Sequence, residues 1–168
     1  MTKPVLEVEN LSKRFGRVTA VDGISFSVPR GSVVGLLGPN GAGKTTTIHL
    51  LLGITRVSGG TIRYFGQDFT AHRQGCLQRI NFASAFNQLQ GRISSWENLL
   101  VFAGLYGMKH PQPKILKLAD YFGVREILHR RFWDLSAGQK TRMMLVKALL
   151  NDPEMILMDE PTASLDPD

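Results

Sequence analysis

The chain has 168 residues, 43% hydrophobic and 20% charged, with a net charge of +6 and a single cysteine. That length bounds one domain with room for a core. Cys76 alone excludes an intrachain disulfide and fits a reducing compartment, and no apolar run approaches the ~18 residues that span a bilayer. No secretory apolar segment opens the chain. The charge is scattered, +6 over residues 1–108, +6 over 109–147 and −6 over 148–168. It reads as an ordinary solvated surface, and no nucleic-acid partner is expected.

Residues 5–9 and 24–28 alternate apolar and polar side chains, the pattern of half-buried strands, and Pro29-Arg30-Gly31 makes a turn. Residues 33–37 form a continuous apolar run, as in a strand buried on both faces. A glycine-rich loop then leads into a helix over residues 44–52, stopped near Gly53. Residues 61–65 read as another strand. Ser94 and Glu97 have capping-box spacing ahead of a helix with Leu99, Leu100, Phe102, Ala103, Leu105 and Tyr106 on its apolar face; His110-Pro111 ends it. Residues 114–122 and 126–130 are predicted helical. A further helix covers 138–150, stopped by Asn151-Asp152-Pro153, and a short buried strand follows at 155–158. The class is α/β, with core pieces at 1–85 and 151–168 and an inserted helical subdomain at 86–150.

Gly38-Pro39-Asn40-Gly41-Ala42-Gly43-Lys44-Thr45 fits the phosphate-loop pattern G-x-x-x-x-G-K-[ST] at every fixed position. Glycines let the backbone curl so that successive N–H groups face a phosphate. The helix that starts at Lys44 adds the partial positive charge of its N-terminus, and Thr46 continues that first turn. Lys44 can reach the β- and γ-phosphates, and the Thr45 hydroxyl can ligate Mg²⁺. Residues 155–161, Met-Ile-Leu-Met-Asp-Glu-Pro, place two acids at the end of an apolar strand. Asp159 suits a metal anchor, and Glu160 points elsewhere because side chains alternate along a strand; it suits the positioning of an attacking water. Leu135-Ser136-Ala137-Gly138-Gln139 reads as a helix start capped by Ser136, which exposes N–H groups to a second phosphate.

With these three motifs in this order, the chain resembles the ATP-binding cassette family. Residues 135–139 are similar to its LSGGQ signature, with Ala137 for the first glycine. Pro161-Thr162-Ala163-Ser164-Leu165-Asp166 is similar to its D-loop, and Phe15 stands where the family places an adenine-stacking aromatic. The resemblance implies a P-loop NTPase core with N-terminal antiparallel strands and an inserted helical subdomain, binding ATP and Mg²⁺. ATP held by Phe15 and residues 38–46 is then covered by Ser136, Ala137, Gly138 and Gln139 of a second nucleotide-binding domain. Glu160 is the expected catalytic residue, and Thr45 and Asp159 the expected metal ligands. The implied protein is the ATPase of a transporter, working with a separate membrane permease at the cytoplasmic face. Trp96-Glu97-Asn98-Leu99 and Leu105-Tyr106-Gly107 further resemble drug and polysaccharide exporter ATPases.

Two features depart from the family. Its Q-loop glutamine falls at Ala85, with Gln88 and Gln90 nearby as substitutes. Its switch histidine belongs beyond Asp168, and His49, His72, His110 and His129 all precede the acidic strand. The family also inserts a later strand between the two motif strands, so the sequence is expected to be a fragment or a truncated product that hydrolyses little ATP alone. A soluble family member of translation and a non-functional remnant are the alternatives. The DNA-repair type is excluded by the short spacing from Lys44 to Asp159, without heptads or clustered cysteines.

Overall fold

The computed structural model describes residues 3–84 and 89–159. The chain divides into two compact units, Met1–Leu77 and Gln78–Asp168.

In the first unit, β1 (Leu6–Phe15) and β2 (Val18–Val28) form an antiparallel hairpin. Both run further than the alternation of residues 5–9 and 24–28 predicts. Register shifts between Val8 and Leu11, and again between Leu11 and Lys13, break the side-chain pattern while pairing continues. The helix α1 (Lys44–Leu51) follows the glycine-rich loop. Then β3 (Gly59–Tyr64) pairs with β1, and the short β4 (Gln67–Asp68) pairs with β3. The sheet order is β2-β1-β3-β4, antiparallel throughout. Leu6, Val8, Leu11, Ile62 and Tyr64 are buried from the sheet, and Ile48, Leu50 and Leu51 from α1. Tyr64 donates its hydroxyl to Leu51 O at 3.0 Å. Burial, and secondarily the neighbouring Cys76, pushes the Tyr64 pKa above its usual value. The helix α2 (Arg73–Leu77) closes the unit.

Residues 33–37 are not a strand. Among the described residues no strand pairs with them, and Val33 and Leu37 lie fully in solvent. A run of apolar residues becomes a two-sided buried strand only where neighbours hydrogen-bond both of its edges. Without such neighbours among the described residues this run is irregular.

In the second unit, β5 (Ile80–Ser84) and β6 (Met155–Asp159) pair in parallel, with Asn81 opposite Ile156 and Ser84 opposite Asp159. Among the described residues three α-helices lie between them in sequence: α3 (Ser95–Leu105), α4 (Gln112–Tyr121) and α5 (Ala137–Ala148). The Ser94 capping box is complete: Ser94 Oγ accepts from Glu97 N at 3.1 Å, and Glu97 Oε2 accepts from Ser94 N at 2.7 Å. Hydrogen bonds from Ser94 hold the Glu97 carboxyl below its usual range. The helix stops at Leu105, before His110-Pro111, because Gly107 takes a left-handed φ of 68°. Residues 126–130 give only a 3₁₀ turn, Arg125–Ile127. Leu99, Ala103, Ile115, Phe132, Met143 and Leu150 are central to one hydrophobic cluster.

Lys147 of α5 is 8% exposed, with its ammonium 4.9 Å from the Phe102 ring centre. Desolvation by burial lowers its pKa. The sign follows: below the folded pKa the charged amine is carried in both states and its burial opposes folding; that penalty fades as pH rises through the lowered folded pKa and is gone above the ordinary lysine range. Lys147→Met keeps the volume and removes the charge. It is expected to stabilise the protein at neutral pH by about 0.5–1 kcal/mol, the lost cation–π contact being smaller than the relieved desolvation. A lower denaturation midpoint for this variant would contradict the assignment.

Candidate functional site

The loop at 38–43 is shaped by two glycines in the left-handed region, Gly41 and Gly43, both with φ of 83°. Ala42 N donates to Pro39 O at 3.2 Å, closing a tight turn around Asn40 and Gly41. A Cβ on Gly43 would lie 2.2 Å from the backbone oxygen of Ala20, so the loop packs directly against β2. Gly43 is also the N-cap of α1, and it supplies no side-chain cap. The first turn of α1 holds no acidic residue. Among the described residues, then, no side chain caps its leading N–H groups and no acid stands in its first turn, which leaves them suited to an anion. Thr47 anchors the turn from behind, donating from its N and its Oγ1 to Gly43 O at 2.8 and 2.9 Å.

Lys44 folds its ammonium back over the loop, donating to Gly38 O at 2.7 Å and to Pro39 O at 2.9 Å. The same cation can leave those neutral carbonyls for phosphate oxygens, since a bond in which both partners are charged is the stronger one. Thr45 is exposed and Thr46 half-buried in the same first turn. Phe15 ends β1 at the hairpin tip, 52% exposed, with Lys13 Nζ 4.7 Å from its ring centre. An aromatic face half in solvent is what base stacking requires.

The second unit carries the other predicted groups. Ser136 caps α5: its Oγ accepts from Gln139 N at 3.3 Å, and Gln139 Oε1 accepts from Ser136 N at 3.0 Å. The box uses two donors of this helix start, leaving those of Ala137 and Gly138. A Cβ placed on Gly138 meets nothing within 4 Å, so the helix start is open to approach. Asp159 ends β6, half-buried. Thr45 and Asp159 offer a hydroxyl and a carboxylate, hard oxygen donors of the kind Mg²⁺ takes. Glu160, the D-loop residues 161–166, Ala85 and Gln88 lie outside the described residues. Gln90 is described and exposed, and its Oε1 accepts from Arg92 N at 2.6 Å. Sequence reasoning missed Thr47 and the Ala20 carbonyl behind Gly43. Thr47 had a signal, a hydroxyl four residues past the N-cap glycine.

An uncapped, acid-free helix start behind a glycine-turned loop, with a lysine folded over it, marks the P-loop NTPase class. A family model described as ABC transporter matches residues 21–163, and the chain belongs to that family. Among curated relatives, it is 40% identical over 168 residues to a Nod factor export ATP-binding protein I of Ralstonia nicotianae, covering 98% of this chain and 52% of that protein. It is likewise 40% identical over 169 residues to the protein of that name from Paraburkholderia xenovorans, covering 99% and 56%. The chain thus spans about half the length of the curated relatives it matches. Of solved structures, one titled as the ATP-binding subunit of an ABC transporter superposes with a TM-score of 0.83 at 29% identity, covering 97% of this chain and 69% of that one. Another, the ADP conformation of an ATP-binding cassette of an ABC transporter, gives 0.85 at 26% identity, covering 98% and 72%. Among the described residues no helix is long and apolar enough to cross a membrane.

Proposed function

We propose that this chain provides the ATP-binding and ATP-hydrolysing unit of an ABC exporter. The observation that carries the reading is the start of α1, where N–H groups without a side-chain cap or a first-turn acid meet a lysine that donates to two backbone carbonyls. Export rather than import is favoured by the relatives, whose names describe export. Phe15 stacks the adenine, residues 38–46 hold the phosphates, and Thr45 with Asp159 holds Mg²⁺. Ser136, Ala137, Gly138 and Gln139 cover the nucleotide of a second such domain, so that ATP binding closes a pair and hydrolysis opens it. Glu160 orients the attacking water. The helical subdomain passes this motion to a membrane permease, which places the protein at the cytoplasmic face of a membrane.

Lys44→Ala tests the reading in the full-length protein. Loss of one charge-assisted phosphate bond corresponds to about 1.5–3 kcal/mol. ATP affinity, followed by titration with a fluorescent nucleotide, should fall about 10- to 100-fold. An unchanged Kd would remove the phosphate role from Lys44 and with it the central support for the proposal.

A further inference from the structure

Asn81 lies in the middle of β5 with its amide buried and used at both ends. Its Nδ2 donates to Ala148 O at 2.7 Å and to Asn151 Oδ1 at 2.6 Å. Its Oδ1 accepts from the Tyr106 hydroxyl at 3.0 Å. Asn151 extends the chain of bonds by donating to Gln78 O at 3.2 Å. Burial keeps the Tyr106 hydroxyl protonated, the Asn81 bond pulling weakly the other way, so it remains a donor.

The three partners of this amide belong to separate elements. Tyr106 is the C-cap of α3, Ala148 is the last residue of α5, and Asn151 sits in the loop that leads to β6. The last carbonyls of any helix lack an internal partner, and at α5 the Asn81 amide supplies one. Asn81 itself faces Ile156, on the strand that ends in Asp159. One side chain therefore ties the C-terminal ends of both capped helices to the two-stranded sheet that carries the metal acid.

The geometry of α5 magnifies what happens at that tie. Its 12 residues span about 18 Å from the Asn81 end to the Ser136 cap. A tilt of about 5° at the tied end moves the Ser136 end by about 1.6 Å over that length. Misplacement by about 1 Å is enough to lower a rate on the order of 10²-fold.

We propose that Asn81 is a positioning residue for ATP hydrolysis: its amide sets the tilt of the signature helix and of α3 against the strand bearing Asp159. The inference rests on the ATPase reading above. Asn81 touches no predicted nucleotide ligand, so it acts on the closed, reacting state and leaves ATP binding alone. An aspartate in its place has the same shape but turns two donors into an acceptor, set against Ala148 O and Asn151 Oδ1. Phenylalanine at 106 deletes a single hydroxyl and keeps the ring beside Phe102, at 6.4 Å between centres.

The test compares wild type, Asn81→Asp, Tyr106→Phe and Lys44→Ala in the full-length protein, with ATPase kinetics, ATP affinity and thermal midpoints measured on each. Asn81→Asp should lower kcat about tenfold or more, and Tyr106→Phe about threefold, one neutral hydrogen bond. In both, KM and Kd for ATP should stay near wild type. A purely structural role would instead lower the thermal midpoint and leave kcat per folded molecule unchanged, and that result overturns the proposal. If Asn81→Asp does not fold, Tyr106→Phe decides on the same kcat-against-KM criterion. A wild type without ATPase activity, indistinguishable from Lys44→Ala, defeats the ATPase reading and this inference together. An active wild type with both network variants at wild-type kcat defeats this inference alone.

Discussion

Gly43→Ala is expected to destabilise the N-terminal unit by about 3 kcal/mol and to abolish measurable nucleotide binding. Two costs add. The residue sits at φ 83°, where an L side chain pays roughly 1–2 kcal/mol. The new methyl would also lie 2.2 Å from Ala20 O, a backbone atom that cannot rotate away. Ala20 is held in β2, flanked by Val21 paired with Lys13 and by Thr19 paired with Arg14. The overlap is relieved only if the loop withdraws from β2, carrying the N–H groups of the α1 start and the Lys44 ammonium with it. Denaturant unfolding and nucleotide titration measure the two losses. Gly41→Ala is the matched control: the φ is the same 83°, but nothing lies within 4 Å of the added Cβ. It should show only the dihedral cost, about 1 kcal/mol. If Gly43→Ala behaves like Gly41→Ala, the close packing of loop and strand is not what shapes the cradle.

What could be read in the sequence is what depends on neighbours along the chain. The phosphate loop was legible because its chemistry is local: fixed glycines, a lysine and a hydroxyl at the start of one helix. The Ser94 cap was legible for the same reason, since both of its hydrogen bonds close over three residues. Residues 33–37 show the opposite case. Their apolar character is real, but burial of a strand depends on partners elsewhere in the chain, and no ladder forms on them among the described residues. The strand β5 was missed because Asn81 and Ser84 interrupt its apolar pattern. Both are buried, and Asn81 can be so only because its partners stand 25, 67 and 70 positions away. No window along the sequence holds those four groups together. For the same reason the signature helix was placed correctly while the amide that ties down its far end was not seen.

Glu160→Gln should separate binding from chemistry more sharply than any other change. On the proposed reading the carboxylate at 160 accepts a proton from, or orients, the water that attacks the γ-phosphate, and contributes nothing to holding ground-state ATP. Glutamine keeps the shape and removes the base, so kcat should fall on the order of 10²- to 10³-fold with Kd for ATP nearly unchanged. Asp159, the residue before it, ends β6 opposite Ser84, and on the proposed reading it holds Mg²⁺ instead of the attacking water. Asp159→Asn should therefore give the contrasting result, a loss of Mg²⁺-dependent affinity along with the rate. If, as proposed, binding closes the pair and hydrolysis opens it, Glu160→Gln should also accumulate an ATP-dependent dimer, visible as a shift in size-exclusion elution with Mg-ATP and not with ADP. Turnover equal to wild type would refute the base assignment at Glu160. Slow turnover without the dimer would keep the base and break the link between hydrolysis and opening, so the two measurements test the chemistry and the mechanics independently.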